Sequence, residues 1–202
     1  MNFYKILEII GLVVGLLYLL LIICENIWCW IFGIVGSLIT VFLYFHTKLY
    51  LESILNVYYI WAGFYGWWYW NKAKEKTTEK ANVPVVAWLP SYHFVNIVLC
   101  LSISVSVGVL MKKYTDSPRP YIDATMAVFS FSATYLEARK VLSAWVYWFV
   151  INGASIILQF DRGLNIYAYL SIVYTVMSIV GYLQWKKSYD HQNFDGILSK
   201  KA

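Results

Sequence analysis

Read for the alternation of apolar and polar positions, the chain falls into seven apolar stretches separated by short polar links: 6–24, 27–45, 49–70, 92–111, 121–138, 141–160 and 164–184. Ile27 to Phe45, Val141 to Phe160 and Leu164 to Gln184 contain no charged residue. Each is long enough to cross about 30 Å of hydrocarbon as a helix. A helix is required there because backbone N–H and C=O groups must find partners within the segment. The first three stretches are joined by Glu25-Asn26 and His46-Thr47-Lys48, and the last three are linked just as tightly. The fourth stands apart, with a 20-residue polar loop before it and "KKYTDSPRP" after it. The spacing predicts an all-α integral membrane protein of seven transmembrane helices in a three, one, three order. Its expected parts are a triple-helix repeat over 1–70, a loop and linker helix over 71–119, a second triple-helix repeat over 120–187 and a polar, mobile tail over 188–202.

An internal comparison supports the repeat. A shift of 115 aligns 30–70 with 145–185 without a gap, and nine of the 41 positions are identical. Trp30 falls on Trp145, Gly66 on Gly181 and Trp70 on Trp185, matches that apolar bias does not explain. Glu8 falls on Asp123. Because three spans per unit is odd, the fourth helix returns the second unit to the orientation of the first, giving parallel repeats as in some solute carriers.

Composition changes the picture only by strengthening it. The 202 residues are 60% hydrophobic and 13% charged, against about 25% charged in ordinary soluble domains. Lys and Arg number ten on the side holding the 71–90 loop, Arg139-Lys140 and the C-terminal tail, and six on the other. The positive-inside rule then places the N-terminus outside and the C-terminus in the cytoplasm. The net charge of +5 reflects this orientation rather than nucleic-acid binding. The first stretch has no basic leader or small-residue cleavage site and carries Glu8, so it is expected to be retained. Cys24, Cys29 and Cys100 lack metal-ligand spacing, the three His are scattered, and no phosphate-binding loop or paired-acid motif appears. The chain therefore reads as a protein without cofactor or metal, and not as an enzyme.

Polar side chains at membrane depth point to cavities or partner helices. Trp145, Trp148, Asn152, Ser155 and Gln159 recur at steps of three or four, which places them on one helical face. In the third stretch Glu52, Asn56, Tyr59 and Gly63 form a stripe, matched after the shift by Tyr167, Ser171, Tyr174 and Ser178. Asp123, Ser130, Thr134 and Glu137 share a face of the fifth. Ser37, Thr40, Ser130, Ser155 and Ser178 read as packing residues, as do Gly33, Gly36, Gly63 and Gly66. Trp145, Trp148 and Asn152 read as a solute site, two stacking surfaces with an amide one turn deeper. Asn56, Tyr59 and Tyr174 are further candidates, and Asp123 either attracts a cation or caps its helix. Indole and phenol faces suit an organic cation, by roughly 2 kcal/mol each when dry. Trp67, Trp68, Tyr69 and Trp70, followed by lysines, read as an interfacial aromatic belt.

The runs "ENIWCWIFGIVGSLITVFLYFHTKLYLESILNVYYIWAGFYGWWYW" and "ARKVLSAWVYWFVINGASIILQFDRGLNIYAYLSIVYTVMSIVGYLQW" resemble the two halves of Pnu-type vitamin transporters, a likeness extending from about Leu7 to Lys187. The resemblance implies a bacterial inner-membrane carrier of SWEET-like fold. It also implies facilitated diffusion of a vitamin that a cytosolic kinase then traps by phosphorylation, and a homotrimer. It places the bound ring on Trp145 and Trp148. Asn152 stands where some relatives have Asp, and Asn56 where the family has Gln. Relatives carry nicotinamide riboside, thiamine or riboflavin. The first two are aromatic cations that suit the same lining, and nicotinamide riboside is placed ahead of thiamine.

Overall fold

The computed structural model describes residues 3–46, 50–75 and 83–199. The link at Thr47-Lys48, most of the loop after the third helix, and the Glu52 side chain lie outside the described residues. Seven helices run through the described chain: α1 (Phe3–Ile23), α2 (Cys29–His46), α3 (Tyr50–Glu75), α4 (Pro90–Tyr114), α5 (Pro120–Ala138), α6 (Ala144–Asp161) and α7 (Asn165–Ser199). By length and composition α1, α2, α4 and residues 167–194 of α7 can each cross a membrane. The polar stripes lie mostly on the less apolar α3, α5 and α6. The tail expected to be polar and mobile from residue 188 instead continues α7 to Ser199. No Pro interrupts it, and Gln192 Oε1 accepts the Val85 N–H at 3.1 Å.

The chain divides into two compact units. One comprises Met1–Val85 with Ala138–Lys140 and Leu183–Ala202; the other comprises Val86–Glu137 and Val141–Tyr182. In the first unit α1 packs on α2 and α2 on α3. Close approach there depends on glycine. A Cβ on Gly63 would meet Ile34 at 2.6 Å, and one on Gly66 would enter the Trp30 indole. In the second unit a Cβ on Gly181 would enter the Trp145 indole in the same way. Trp30 and Trp145 are each 1% exposed. The two Trp–Gly matches of the 115-residue shift are therefore one packing device used twice, an indole laid on a helix where no side chain intervenes.

The turns after α1 and α5 repeat the same geometry. Glu25 and Lys140, 115 apart, both adopt left-handed backbone, with φ of 56° and 54°. Beyond each, an N–H reaches back over the helix end, Asn26 to the Leu21 carbonyl and Val141 to the Leu136 carbonyl, both at 2.9 Å. This is the six-to-one closure that ends a helix with its last carbonyls satisfied. It also explains why α6 begins at Ala144 rather than at residue 141.

Within the first unit these turns meet. Lys140 Nζ donates to Glu25 Oε2 at 2.6 Å and to the Val83 carbonyl at 2.9 Å, and lies 4.5 Å from the Trp70 ring centroid. Lys140 is 1% exposed and Glu25 8%. Burial pushes the Lys140 ammonium below its ordinary value while the Glu25 carboxylate pulls it back up. Trp70 Nε1 donates to the Ala138 carbonyl at 2.9 Å, and Trp185 Nε1 to the Ile22 carbonyl at 3.0 Å. Each indole satisfies a carbonyl at the end of the other repeat's first helix. Trp70, expected in the aromatic belt, is thus 3% exposed and structural, with its ring edge-on to Trp30. Trp68 is exposed, with Lys72 over its ring.

Replacing Gly66 or Gly181 by Ala is expected to lower stability by about 1–3 kcal/mol through overpacking against the indole. Gly153→Ala, where a Cβ meets nothing within 4 Å, is expected to be neutral or mildly stabilising. Thermal melts in detergent check this, and a Gly153→Ala loss equal to the other two would contradict it.

Candidate functional site

The second unit holds most of the polar candidates. Its hydroxyls are largely engaged inside their own helices: Ser130, Thr134, Ser155 and Ser178 each donate to the carbonyl four residues back. Thr40 does the same in the first unit. Such bonds remove the hydroxyl from competition for a ligand and support the packing reading of these residues.

On α6 the stripe separates into residues with different surroundings. Trp145, at the start of the helix, is buried on Gly181. Trp148, one turn on, is half-buried, and its Nε1 donates to Glu137 Oε2 at 3.3 Å. Asn152, a further turn along, is half-buried, and its amide has no hydrogen-bond partner among the described residues. Gln159, at the far end, accepts the Ser171 hydroxyl of α7 at 2.9 Å. Tyr174 of α7 is half-buried as well. In the first unit Asn56 and Tyr59 are half-buried on α3, where 56 and 59 are one turn apart.

Asp123 lies in the first turn of α5 with two partners. Ser117 Oγ donates to Oδ2 at 2.6 Å and Arg162 Nη2 to Oδ1 at 2.7 Å. Arg119 pairs with Asp161 beside it. The carboxylate therefore ties the turn before α5 to the end of α6. These pairs are exposed or partly exposed, where single ion pairs stabilise by less than about 1 kcal/mol.

The sequence places Glu137 on the polar face of α5 but does not show its partner, and the polar cluster on α4 is a feature that sequence reasoning leaves out. Glu137, 2% exposed at the end of α5, holds the Trp148 indole. On α4, Asn96 Nδ2 donates to Ser132 Oγ at 2.8 Å and to the Tyr147 hydroxyl at 3.1 Å. His93 contacts the same hydroxyl through Nδ1 at 3.3 Å and Ser143 Oγ through Nε2 at 3.2 Å. His93, Asn96 and Cys100 are spaced by three and four, so the α4 stripe was present in the sequence. His93 is far in sequence from the other histidines, and its partners are hydroxyls rather than metal-ligating groups. Among the described residues no group of three His, Cys, Asp or Glu could hold a metal ion.

The model of one protein family, described as nicotinamide mononucleotide transporter, matches residues 5–187. The chain belongs to that family. Its members include relatives named for vitamin transport. The nicotinamide riboside transporter PnuC of Escherichia coli (strain K12) is 23% identical over 203 residues, covering 90% of this chain and 85% of the relative. The riboflavin/roseoflavin transporter RibM of Streptomyces davaonensis is 24% identical over 180 residues, covering 88% and 83%. A solved structure, described as the crystal structure of the vitamin B3 transporter PnuC, matches with a TM-score of 0.74 at 22% identity. That match covers 92% of this chain and 82% of the other. Membership of this transporter family, with several apolar helices of spanning length, makes the chain a multi-pass membrane transport protein rather than an enzyme.

Asn96→Leu is expected to lower stability by about 1 kcal/mol by removing the Asn96 contacts to the Ser132 and Tyr147 hydroxyls and leaving Tyr147 with His93 alone. For a chain of this size that is a fall of roughly 2–4 °C in Tm. An unchanged Tm would contradict the network.

Proposed function

We propose that the chain carries a vitamin precursor into a bacterial cell across the inner membrane, with nicotinamide riboside as the solute. Two parallel triple-helix repeats joined by α4, in a SWEET-like three, one, three order, form the carrier. The recurrence at 115 of the Trp–Gly packing and of the left-handed turns supports that order. Movement is by facilitated diffusion with alternating access, and phosphorylation by a cytosolic vitamin kinase traps the product. The N-terminus lies outside and the C-terminus in the cytoplasm, and the working assembly is a homotrimer.

The observation that carries the reading is the step from Trp148 to Asn152 on α6. Most other polar groups described in the second unit already have partners, whereas the Asn152 amide has none among the described residues. An amide that is half-buried and not tied to a neighbouring helix is free to bond a solute. Trp148, its indole nitrogen held by Glu137, offers a ring face one turn away, and an electron-rich face binds a flat cation. Trp145 supports this pair from the protein side, consistent with its burial on Gly181. Tyr174 adds an aromatic hydroxyl. Asn56 and Tyr59 are assigned to the same solute on the repeat argument alone, and Asp123 acts through the loop it ties to α6.

Thiamine is the second reading. It is also an aromatic cation, and Asn152 stands where some members of this family have Asp. Neutral, three-ringed riboflavin fits the cation argument less well, although the Streptomyces relative is named for it.

Calorimetric titration of the detergent-purified protein tests the assignment. Trp148→Ala and Asn152→Ala are each expected to weaken binding of nicotinamide riboside by roughly 5–30-fold, the loss of about 1–2 kcal/mol. Unchanged affinity in Trp148→Ala would remove the site from α6. Tighter binding of thiamine than of nicotinamide riboside would select the second reading.

A further inference from the structure

The first unit contains a cavity of about 360 Å³ that the α6 site does not use. Glu25, Lys140, Trp70, Trp28, Cys24 and Val83 help line it. Cys24 and Trp28 are exposed at its rim, whereas Glu25, Trp70 and Lys140 are buried at its base. The Lys140 ammonium sits where three cation-recognising groups converge. It contacts the Glu25 carboxylate at 2.6 Å and the Val83 carbonyl at 2.9 Å, over the Trp70 indole at 4.5 Å. A carboxylate, a carbonyl and an indole face form the surroundings by which proteins hold small organic cations. Here the occupant is a side chain of the same protein.

We propose that Glu25, the Val83 carbonyl and Trp70 form a second organic-cation site, with Trp28 as its rim, and that Lys140 is its tethered occupant. The ligand class is a flat organic cation such as an N-alkylated pyridinium. To bind, it takes the place of the ammonium beside Glu25 and stacks on the indole, and Lys140 swings toward solvent. The exchange is a like-for-like replacement of one positive charge by another, so Glu25 is never left buried without a partner, a state that is strongly unfavourable. The site lies at the ends of the first helices of both repeats, where the chain is expected to face the cytoplasm. A site there would meet a cationic solute on the cytoplasmic side. This deepens the carrier reading and rests on it for the identity of the solute.

The experiment uses the full chain in detergent, with 1-methylnicotinamide as the cationic probe and nicotinamide as its neutral counterpart. Lys140→Ala vacates the seat. Modification of Cys24 by a methanethiosulfonate reagent, read by peptide mass, reports on the rim, since Cys29 and Cys100 are buried. In Lys140→Ala the cationic probe is expected to raise Tm by several degrees. At about ten times its Kd it should slow Cys24 labelling about tenfold. Nicotinamide should do neither, and the Glu25→Gln/Lys140→Ala double variant should lose both effects. If Lys140→Ala is not recovered from membranes, Lys140→Gln, which keeps a donor toward Glu25, is read by the same labelling. Absence of protection in the recovered Lys140 variant, or equal protection after Glu25→Gln, would overturn the proposal. Adding Trp148→Ala separates the two sites. Protection of Cys24 that survives it places the probe at Glu25, whereas protection that disappears with it overturns the second site and returns the probe to α6.

Discussion

The Glu25–Lys140 ion pair is the constraint on which much of the rest depends. Removing a carboxylate and an ammonium from water carries a penalty of several kcal/mol per ion, offset only by short contacts and further hydrogen bonds. The 2.6 Å contact, the Val83 carbonyl and the Trp70 face supply these. The two residues can meet only because each occupies the left-handed position of a helix-ending turn, and the turns are alike down to their closing N–H contacts. Trp70 and Trp185 then satisfy carbonyls at the ends of α5 and α1. Four elements of the first unit are clasped by groups that would be poor choices singly and are satisfied together.

The helices themselves were legible because the membrane imposes a simple rule: long uncharged stretches must be helical. The repeat was legible through Trp30, Gly66 and their mates, since an indole packed on a bare helix tolerates few substitutions. The ion pair was not, because Glu25 and Lys140 stand in short links, where a charge carries no pattern that names its partner. The two positions are also not identical across the repeat, since a residue and its mate that must attract each other have opposite signs. Trp70 was read as interfacial because a Trp before lysines has the same pattern whether its ring anchors in headgroups or bonds to a carbonyl. The extent of α7 was missed because a polar stretch can be a solvated helix as readily as a coil.

The candidate site was legible only in part. The period of Trp145, Trp148 and Asn152 marks one face of α6, but sequence spacing cannot say which ring is buried by its own unit. The structure separates them by a single neighbour, Gly181, against Trp145. Glu137 as the partner of Trp148, and Asn96 between Ser132 and Tyr147, join residues of different helices and leave no local pattern across them. The stripe that remains on offer after these bonds are made is narrower than the sequence suggested, and it is aromatic and uncharged. On the proposed reading, such a lining suits a flat cation better than a metal ion or a sugar.

The most direct test of the carrier account is uptake of radiolabelled nicotinamide riboside by proteoliposomes containing the purified chain, with no ATP and no ion gradient. The account predicts saturable entry that stops when the concentrations inside and outside are equal, with competition from unlabelled solute and a marked loss in Trp148→Ala. Flux no greater than in protein-free vesicles, or accumulation that appears only when an ion gradient is imposed, would contradict it.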